Sequence, residues 1–181
     1  LREALSGFMR QRGVTAEPNR IVAAPGGKCA LYCAIVAIVS PGDEVLVPDP
    51  GFPMYPSVTR ASGGRPVYYP VRAESPGVDI SEIEELITSR TRAIVLNTPH
   101  NPAGSSLTDV ELARIAELAL RHNLWIVSDE IYGMLQFDGI FRSPLSIPEV
   151  ADPCVIGDSL SKSHAMPGFR LGFAVMPPSL R

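Results

Sequence analysis

The 181-residue sequence has little net charge, few cysteines and no long apolar stretch. A formal net charge of -3 provides no positive field, which argues against nucleic acid as a partner. The longest apolar run, residues 30 to 39, has about half of the roughly 20 residues that a membrane-spanning helix needs. The sequence therefore predicts a protein that binds neither nucleic acid nor membrane.

Three cysteines cannot all pair with one another in disulfides. Cys29 and Cys33 lie four residues apart on a predicted helix, a spacing that suits packing better than a disulfide or a metal site. We therefore expect no metal centre here, and a protein of the reducing cytoplasm.

Hydrophobic residues make up 45% of the sequence and charged residues 19%, which is typical of one globular domain with a sizeable core. Apolar strands alternate with amphipathic helices along the chain. This order predicts an α/β fold in which helices cover a mainly parallel sheet. Both ends look cut, since a helix begins at Leu1 without a cap and Ser179 to Arg181 follow directly on a strand.

Glycine, proline and polar residues cluster where the predicted strands end. In open α/β sheets, ligands bind outside the carboxyl ends of the strands, so these segments should meet at one crevice. There are five of them: Gly26 to Lys28, Asp49 to Tyr55, Asn97 to Gly104, Ser128 to Tyr132, and Ser159 to Arg170.

Lys162 stands in the most informative of these segments, Ser159-Leu160-Ser161-Lys162, with Arg170 eight residues later. A lysine amine that is shielded from water can act as a nucleophile or base, and can form a Schiff base with a carbonyl cofactor. Because Lys162 follows an apolar strand, we expect it to be buried. A single lysine is otherwise most often a solvated surface residue.

A phosphate site is predicted beside this amine. Gly26-Gly27-Lys28 opens a helix, and helix N-termini offer free N–H groups to anions. Hydroxyls from Ser159 and Ser161 and the guanidinium of Arg170 would complete it. An amine next to a phosphate site is what pyridoxal 5'-phosphate (PLP) requires. The segment is not a Walker A loop, since Cys29 occupies the position after Gly27-Lys28 that needs Ser or Thr.

Other parts of a PLP site can be assigned from the same strand ends. Asp129 could keep the pyridine nitrogen protonated, and Glu130 should point to the opposite face of the sheet. The ring could stack on Phe52 or Tyr55. Asn101 and Tyr132 carry donors for the phenolic ring oxygen. Each of these residues taken alone is equally consistent with a turn, a helix cap or a packed loop, so the prediction depends on their occurring together.

Taken together, these segments resemble class I and II aminotransferases, the fold-type-I PLP enzymes of the aspartate aminotransferase superfamily. The resemblance runs from Pro25 to Gly172 and is most specific at Ser159-Leu160-Ser161-Lys162 through Gly172, at Asn97-Thr98-Pro99-His100-Asn101-Pro102-Ala103-Gly104 and at Ser128-Asp129-Glu130-Ile131-Tyr132. It is weaker at Gly26 to Lys28 and at Pro50 to Tyr55.

The resemblance implies a three-layer αβα fold with a mostly parallel seven-stranded sheet that has one antiparallel strand. It implies a homodimer with sites at the subunit interface, acting on two kinds of small molecule, an amino acid and a 2-oxo acid. It further implies that Lys162 forms the Schiff base, that Asp129 pairs with the pyridine nitrogen and that Phe52 stacks on the ring. The remaining implied contacts are to the ring oxygen (Tyr132, Asn101), the substrate carboxylate (Asn101) and the phosphate (Gly27, Lys28 by its backbone N–H, Ser159, Ser161, Arg170).

The sequence departs from the family pattern in several places. Phe52 stands where aspartate-specific members usually carry tryptophan, so aspartate is not inferred as substrate, and Ala103 replaces the usual threonine. The family's second domain supplies an arginine for the substrate carboxylate, and its N-terminal region supplies a tyrosine across the dimer. We find neither segment, so we expect residues 1–181 to be the PLP-binding large domain without the small C-terminal domain, and to be inactive or very poor alone.

Three alternatives remain at this stage. The same scaffold could carry another PLP reaction: β-elimination of sulfur substrates, cyclopropane-forming elimination of the kind found in ACC synthase, or oxidation. Ser159 to Lys162 also fits the S-x-x-K motif of penicillin-binding proteins, but the S-D-N and K-T-G motifs that should accompany it are missing. A non-enzymatic domain with a vestigial site would not need to retain Lys162, Asp129 and Arg170.

Overall fold

The computed structural model describes residues 1–72, 77–137 and 139–180, so Arg181 lies outside the described residues. Strands and helices alternate along most of the chain, as the sequence predicts. The helices are α1 (Arg2–Gln11), α2 (Gly27–Ile38), α3 (Met54–Ala61), α4 (Ile80–Glu85), α5 (Asp109–His122) and α6 (Leu160–Ser163). The strands are β1 (Ile21–Pro25), β2 (Glu44–Asp49), β3 (Arg65–Pro70), β4 (Thr91–Asn97), β5 (Trp125–Asp129), β6 (Cys154–Ser159) and β7 (Leu171–Val175).

The seven described strands form one sheet in the order β1-β7-β6-β5-β4-β2-β3. Strand β7 runs antiparallel to both of its neighbours, and the other described pairings are parallel. The predicted mostly parallel sheet with one antiparallel strand is therefore confirmed. Strands β4, β5 and β6 lie side by side in the middle, so their carboxyl ends reach the same edge.

Helices cover both faces of the sheet and give the predicted three layers. Alternate residues of the central strands supply two separate cores, because successive side chains of a strand point to opposite faces. Even-numbered residues such as Ile94, Ile126 and Ile156 pack with α1, α4 and α5. Odd-numbered residues such as Val95 and Val127 pack with α2 and α3.

Some helix limits differ from the sequence prediction. The sequence predicts a weak helix from Val58, but α3 begins at Met54, because Pro56 falls in its first turn, where a missing N–H removes no intrahelical bond. The apolar pattern also predicts a helix from Ile80 to Thr88, but α4 ends at Glu85, and the Thr88 amide donates to Thr91 Oγ1 at 2.8 Å as the chain turns. For α5 the spacing of Thr108 and Glu111 predicts an N-terminal capping box, which is confirmed.

A buried ionic cluster joins α1 to the ends of two central strands. The guanidinium of Arg12, just after α1, donates to the carboxylates of Glu130 and Asp158, the former at 3.0 Å. None of these three side chains is more than 3% exposed. Glu130 follows β5 and points away from Asp129, as predicted, while Asp158 lies in β6 directly before Ser159.

The surroundings of this cluster add hydrogen bonds to both carboxylates, whereas Arg12 Nε is buried without a hydrogen-bond partner among the described residues. Glu130 Oε1 accepts from Ser143 Oγ at 2.6 Å, and Asp158 Oδ1 accepts the Ser159 amide at 2.6 Å. The Arg12 guanidinium also lies against the aromatic ring of Phe141, 4.9 Å from its centroid. Because two carboxylates share one guanidinium, the effect of burial on Asp158 outweighs the attraction of Arg12. Burial therefore raises the pKa of Asp158 to about 7.

Replacing Arg12 by methionine should strongly destabilise the protein, because two buried carboxylates would lose their counter-ion. Breaking a buried pair in this way costs about 3–5 kcal/mol. Urea denaturation measures the free energy of unfolding. The matched control is Arg121→Met, since Arg121 is 49% exposed and pairs with Glu84 and Glu117, so its loss should cost only about 0.2–1 kcal/mol. Equal losses in the two variants would contradict a central role for Arg12.

Asp158 should also give a measurable pH dependence. Its pKa is raised on folding from 3.8 to about 7, so the native state binds more protons than the unfolded state between these values. The stability of the wild type relative to Asp158→Asn should therefore fall as pH rises from about 4 to 7, by at most about 1.4 kcal/mol per pH unit, and level off above. Denaturation across this range measures the difference, and a constant difference would be contrary to the prediction.

Candidate active site

A cavity of about 310 Å³ opens where β4 and β5 end and α2 and α6 begin. Its walls come from segments far apart in the sequence, which the parallel strands bring to one edge of the sheet. Seven of the ten residues that the sequence predicts for the cofactor site line it: Gly27, Lys28, Phe52, Asn101, Asp129, Tyr132 and Lys162.

The other three predicted residues are outside this lining: Arg170 and Ser159 adjoin the N-terminus of α2, and Ser161 follows Ser159 in α6. Arg170 donates to the carbonyl of Pro25 at 3.3 Å, and its guanidinium occupies the space that a side chain on Gly26 would need. Gly26 has φ of +92°, a conformation that glycine adopts without strain. Ser159 lies beside Gly27, and its Oγ accepts the amide of Ser161 at 3.2 Å.

These groups together make a place for an anion. The backbone N–H groups at the start of α2 have no intrahelical partners, and the positive end of the helix dipole lies there. The guanidinium of Arg170 and the side chain of Ser159 come from two other segments that reach the same point. The arrangement can hold a phosphate-sized anion with charge-assisted hydrogen bonds.

The sequence contains two lysines, Lys28 and Lys162, and both line the cavity. Lys162 is exposed, so the prediction that it would be buried is wrong: α6 follows β6 directly, but only one short turn covers the amine. Its Nζ lies 6.0 Å from the ring centroid of Tyr132. Lys28 Nζ lies 5.1 Å from the ring centroid of Phe52, so each of the two amines lies near a different aromatic ring.

Asp129 is the buried carboxylate of the cavity, with 6% of its surface exposed. Burial raises its pKa to about 6, while hydrogen bonds from the Tyr55 hydroxyl and the Ile131 amide act in the opposite direction. Its carboxylate accepts from Tyr55 at 2.6 Å and from Ile131 at 3.3 Å. At neutral pH, Asp129 is therefore an anion in a poorly solvated site that can pair with a cationic group of a ligand.

The two aromatic candidates for ring stacking have different roles. Tyr55 lines the cavity but is fully buried, and its hydroxyl is engaged with Asp129. Phe52 is half-buried, lines the cavity and meets Tyr55 edge to face, with 5.8 Å between ring centroids. Phe52 is thus the ring with a face available to a ligand.

Asn97 is a site residue to which the sequence alone assigns no role. Its Nδ2 donates to the main-chain oxygen of Asp129 at 3.1 Å, and its Oδ1 accepts the amide of Asn101 at 2.8 Å. One side chain therefore ties the segment after β4 to the end of β5. Its position as the last residue of a buried strand is the signal that could have identified it.

Known proteins are similar to this chain over almost all of its length. The family model for class I and II aminotransferases matches residues 1–181. Arginine–pyruvate transaminase AruH of Pseudomonas aeruginosa is 45% identical over 172 residues, which is 94% of this chain and 44% of that protein. Aspartate aminotransferase of Sulfolobus acidocaldarius is 35% identical over 97% of this chain and 45% of its own.

Solved structures give the same result. An aromatic aminotransferase from Pyrococcus horikoshii superposes with a TM-score of 0.95 at 32% identity, covering 99% of this chain and 49% of that one. Aspartate aminotransferase from Thermus thermophilus with maleate gives 0.94 at 35% identity, covering 99% and 47%. The chain spans about half the length of the relatives that it matches. It belongs to the class I and II aminotransferase family.

Proposed function

We propose that this chain holds pyridoxal 5'-phosphate and serves transamination between an amino acid and a 2-oxo acid. The observation that carries the proposal is the meeting of the Lys162 amine, the Asp129 carboxylate and the Tyr132 ring in one cavity, next to the anion site at the start of α2. When bound, PLP supplies a carbonyl that condenses with amines and a ring that accepts electrons from a bond broken at the substrate α-carbon.

The residues of the cavity fit this coenzyme in charge and shape. The start of α2, with Ser159, Ser161 and Arg170, matches its phosphate, and the face of Phe52 matches its flat ring. Asp129, buried and anionic at neutral pH, would keep a ring nitrogen protonated. Asn101 and Tyr132 carry donors for the ring oxygen.

Lys162 would have two tasks. Its amine would anchor the coenzyme carbonyl covalently and afterwards move a proton at the substrate α-carbon as a general base and acid. Asn101 would also hold the substrate carboxylate. The exposure of Lys162 in this structure means that its amine can be reached by substrate from the open side of the cavity.

The finer features of the proposal follow the family. Homodimers with sites at the subunit interface, and a cytoplasmic location, belong to it. Among the described residues, no helix has the length and apolar character to cross a membrane. The relatives are named arginine–pyruvate, aspartate and aromatic aminotransferases. The candidate amino donors are therefore arginine, aspartate and the aromatic amino acids.

Lys162 should be the single point of covalent attachment for PLP. The protein mixed with PLP should develop a near-visible absorbance band, and borohydride reduction followed by peptide mass spectrometry should find the coenzyme on Lys162. Lys28, the other lysine of the chain, is an internal control at the same cavity. Lys162→Ala should lose the band and the adduct, whereas Lys28→Ala should keep both. Attachment at Lys28, or no band at all, would refute the assignment.

The half-reaction with an amino acid should distinguish transamination from elimination. Transamination leaves the amino group on the coenzyme and releases a 2-oxo acid with the carbon skeleton of the donor. Elimination instead releases ammonia and returns the coenzyme in its carbonyl form. Because residues 1–181 are expected to be inactive or very poor alone, the test is a single turnover over a long incubation rather than steady-state turnover. We expect arginine, aspartate or an aromatic amino acid to yield the aminated coenzyme, detected by mass spectrometry. Ammonia from cysteine-type substrates without aminated coenzyme would favour the elimination alternative.

A further inference from the structure

Tyr55 and Asp129, which both line the cavity, are joined by a hydrogen bond. They are 74 residues apart in sequence, and the Tyr55 hydroxyl donates to Asp129 Oδ2 at 2.6 Å. Tyr55 is completely buried in the first turn of α3, where its ring packs in the core between α3 and the sheet. The phenol therefore has a fixed position, and the carboxylate is placed relative to it.

The remaining bonds to Asp129 leave the carboxylate dependent on Tyr55. Its other oxygen accepts the Ile131 amide at a longer 3.3 Å. The contacts from β4, by Asn97 Nδ2 at 3.1 Å and the Thr98 amide at 3.2 Å, go to the main-chain oxygen of Asp129. They hold the strand end but do not orient the carboxylate. Tyr55 makes the shortest hydrogen bond that this carboxylate accepts.

Burial and hydrogen bonding shift the pKa of Asp129 in opposite directions. Desolvation raises its pKa, and the Tyr55 hydrogen bond lowers it. Burial and the adjacent carboxylate raise the pKa of Tyr55 well above its ordinary value, so the phenol remains a donor. The other ionisable groups near this pair include Tyr69, which also raises the pKa of Tyr55, and Glu130, which points to the opposite face of the sheet. The cavity residues Tyr132, Lys28 and Lys162 lie on the open side.

We propose that Tyr55 is a positioning residue for Asp129: its hydroxyl turns the carboxylate towards the cavity and favours its anionic form, so that Asp129 can pair with a protonated ring nitrogen. This inference rests on the proposed function. The coenzyme contact itself belongs to Asp129, and Tyr55 acts through it.

The test compares Tyr55→Phe with Tyr69→Phe. Both remove one buried phenolic oxygen, but the Tyr69 hydroxyl donates to the carbonyl of Val95 at 2.7 Å and its ring packs in the core on the other face of the sheet. Each variant is titrated with PLP and with an analogue in which carbon replaces the ring nitrogen. The analogue offers Asp129 no cationic partner, so it reports on the rest of the site.

Tyr55→Phe should bind PLP about tenfold more weakly, the effect of losing one hydrogen bond to a charged group, and should bind the nitrogen-free analogue as the wild type does. Tyr69→Phe should change neither affinity. Unchanged PLP affinity in Tyr55→Phe overturns the inference, and so does an equal loss for both ligands, which would indicate a structural role only. If the wild type fails to bind PLP, the proposed function is overturned and the inference with it.

A second measurement needs no coenzyme. In protein labelled with ¹³C at aspartate carboxyls, the Asp129 titration midpoint should rise by about one pH unit in Tyr55→Phe and stay in place in Tyr69→Phe. If Tyr55→Phe does not fold, the wild type still tests the inference, because the ring-carbon resonance of Tyr55 should shift with the same midpoint as Asp129. An unmoved midpoint, or a Tyr55 resonance that ignores the Asp129 titration, overturns it.

Discussion

The guanidinium of Arg12, enclosed between two buried carboxylates, is the interaction on which the rest of the site depends. Taking charges out of water is costly, and only close pairing with full hydrogen bonding offsets that cost. Here one cation serves Glu130 and Asp158, which stand at the ends of neighbouring strands β5 and β6. Any relative movement of these strand ends would separate buried opposite charges, so the cluster holds them in one geometry.

The alternation of side chains along a strand links this anchor to the cavity. Asp129 and Ser159 face α2 and α3, while their neighbours Glu130 and Asp158 face α1. Each strand end therefore contributes one residue to the cavity or its anion site and the adjacent residue to the ionic cluster. The side chains of a polar site must be held in a fixed geometry, and backbone pairing alone does not fix the positions of the strand ends that carry them. The buried ionic cluster on the other face of the sheet restrains these strand ends.

Local patterns in the sequence were sufficient to predict much of this structure. The strand-helix alternation predicts the three layers, and polar segments after each strand predict which residues gather at the cavity, because parallel strands share one edge for their carboxyl ends. The same patterns carry no information on Arg12, whose partners lie 118 and 146 residues away. They leave Tyr55 undecided between stacking and support, since only the packing of α3 buries its ring. They also predict a buried Lys162, because an apolar strand precedes it. The burial of its side chain depends instead on the length of α6, which the strand before it does not indicate.

Relatives of this chain share one family but are named for different substrates. Relatives named for arginine and pyruvate, for aspartate and for aromatic substrates match almost all of it at 32–45% identity. The names of these relatives have amino transfer in common, and under the proposed function Lys162, Asp129 and Tyr132 would serve that shared step. Discrimination requires side chains that meet the variable part of a substrate. Phe52 and Lys28, whose ring centroid and amine lie 5.1 Å apart at the cavity wall, are two lining residues whose exchange would alter the polarity of the cavity and leave Lys162 and Asp129 in place.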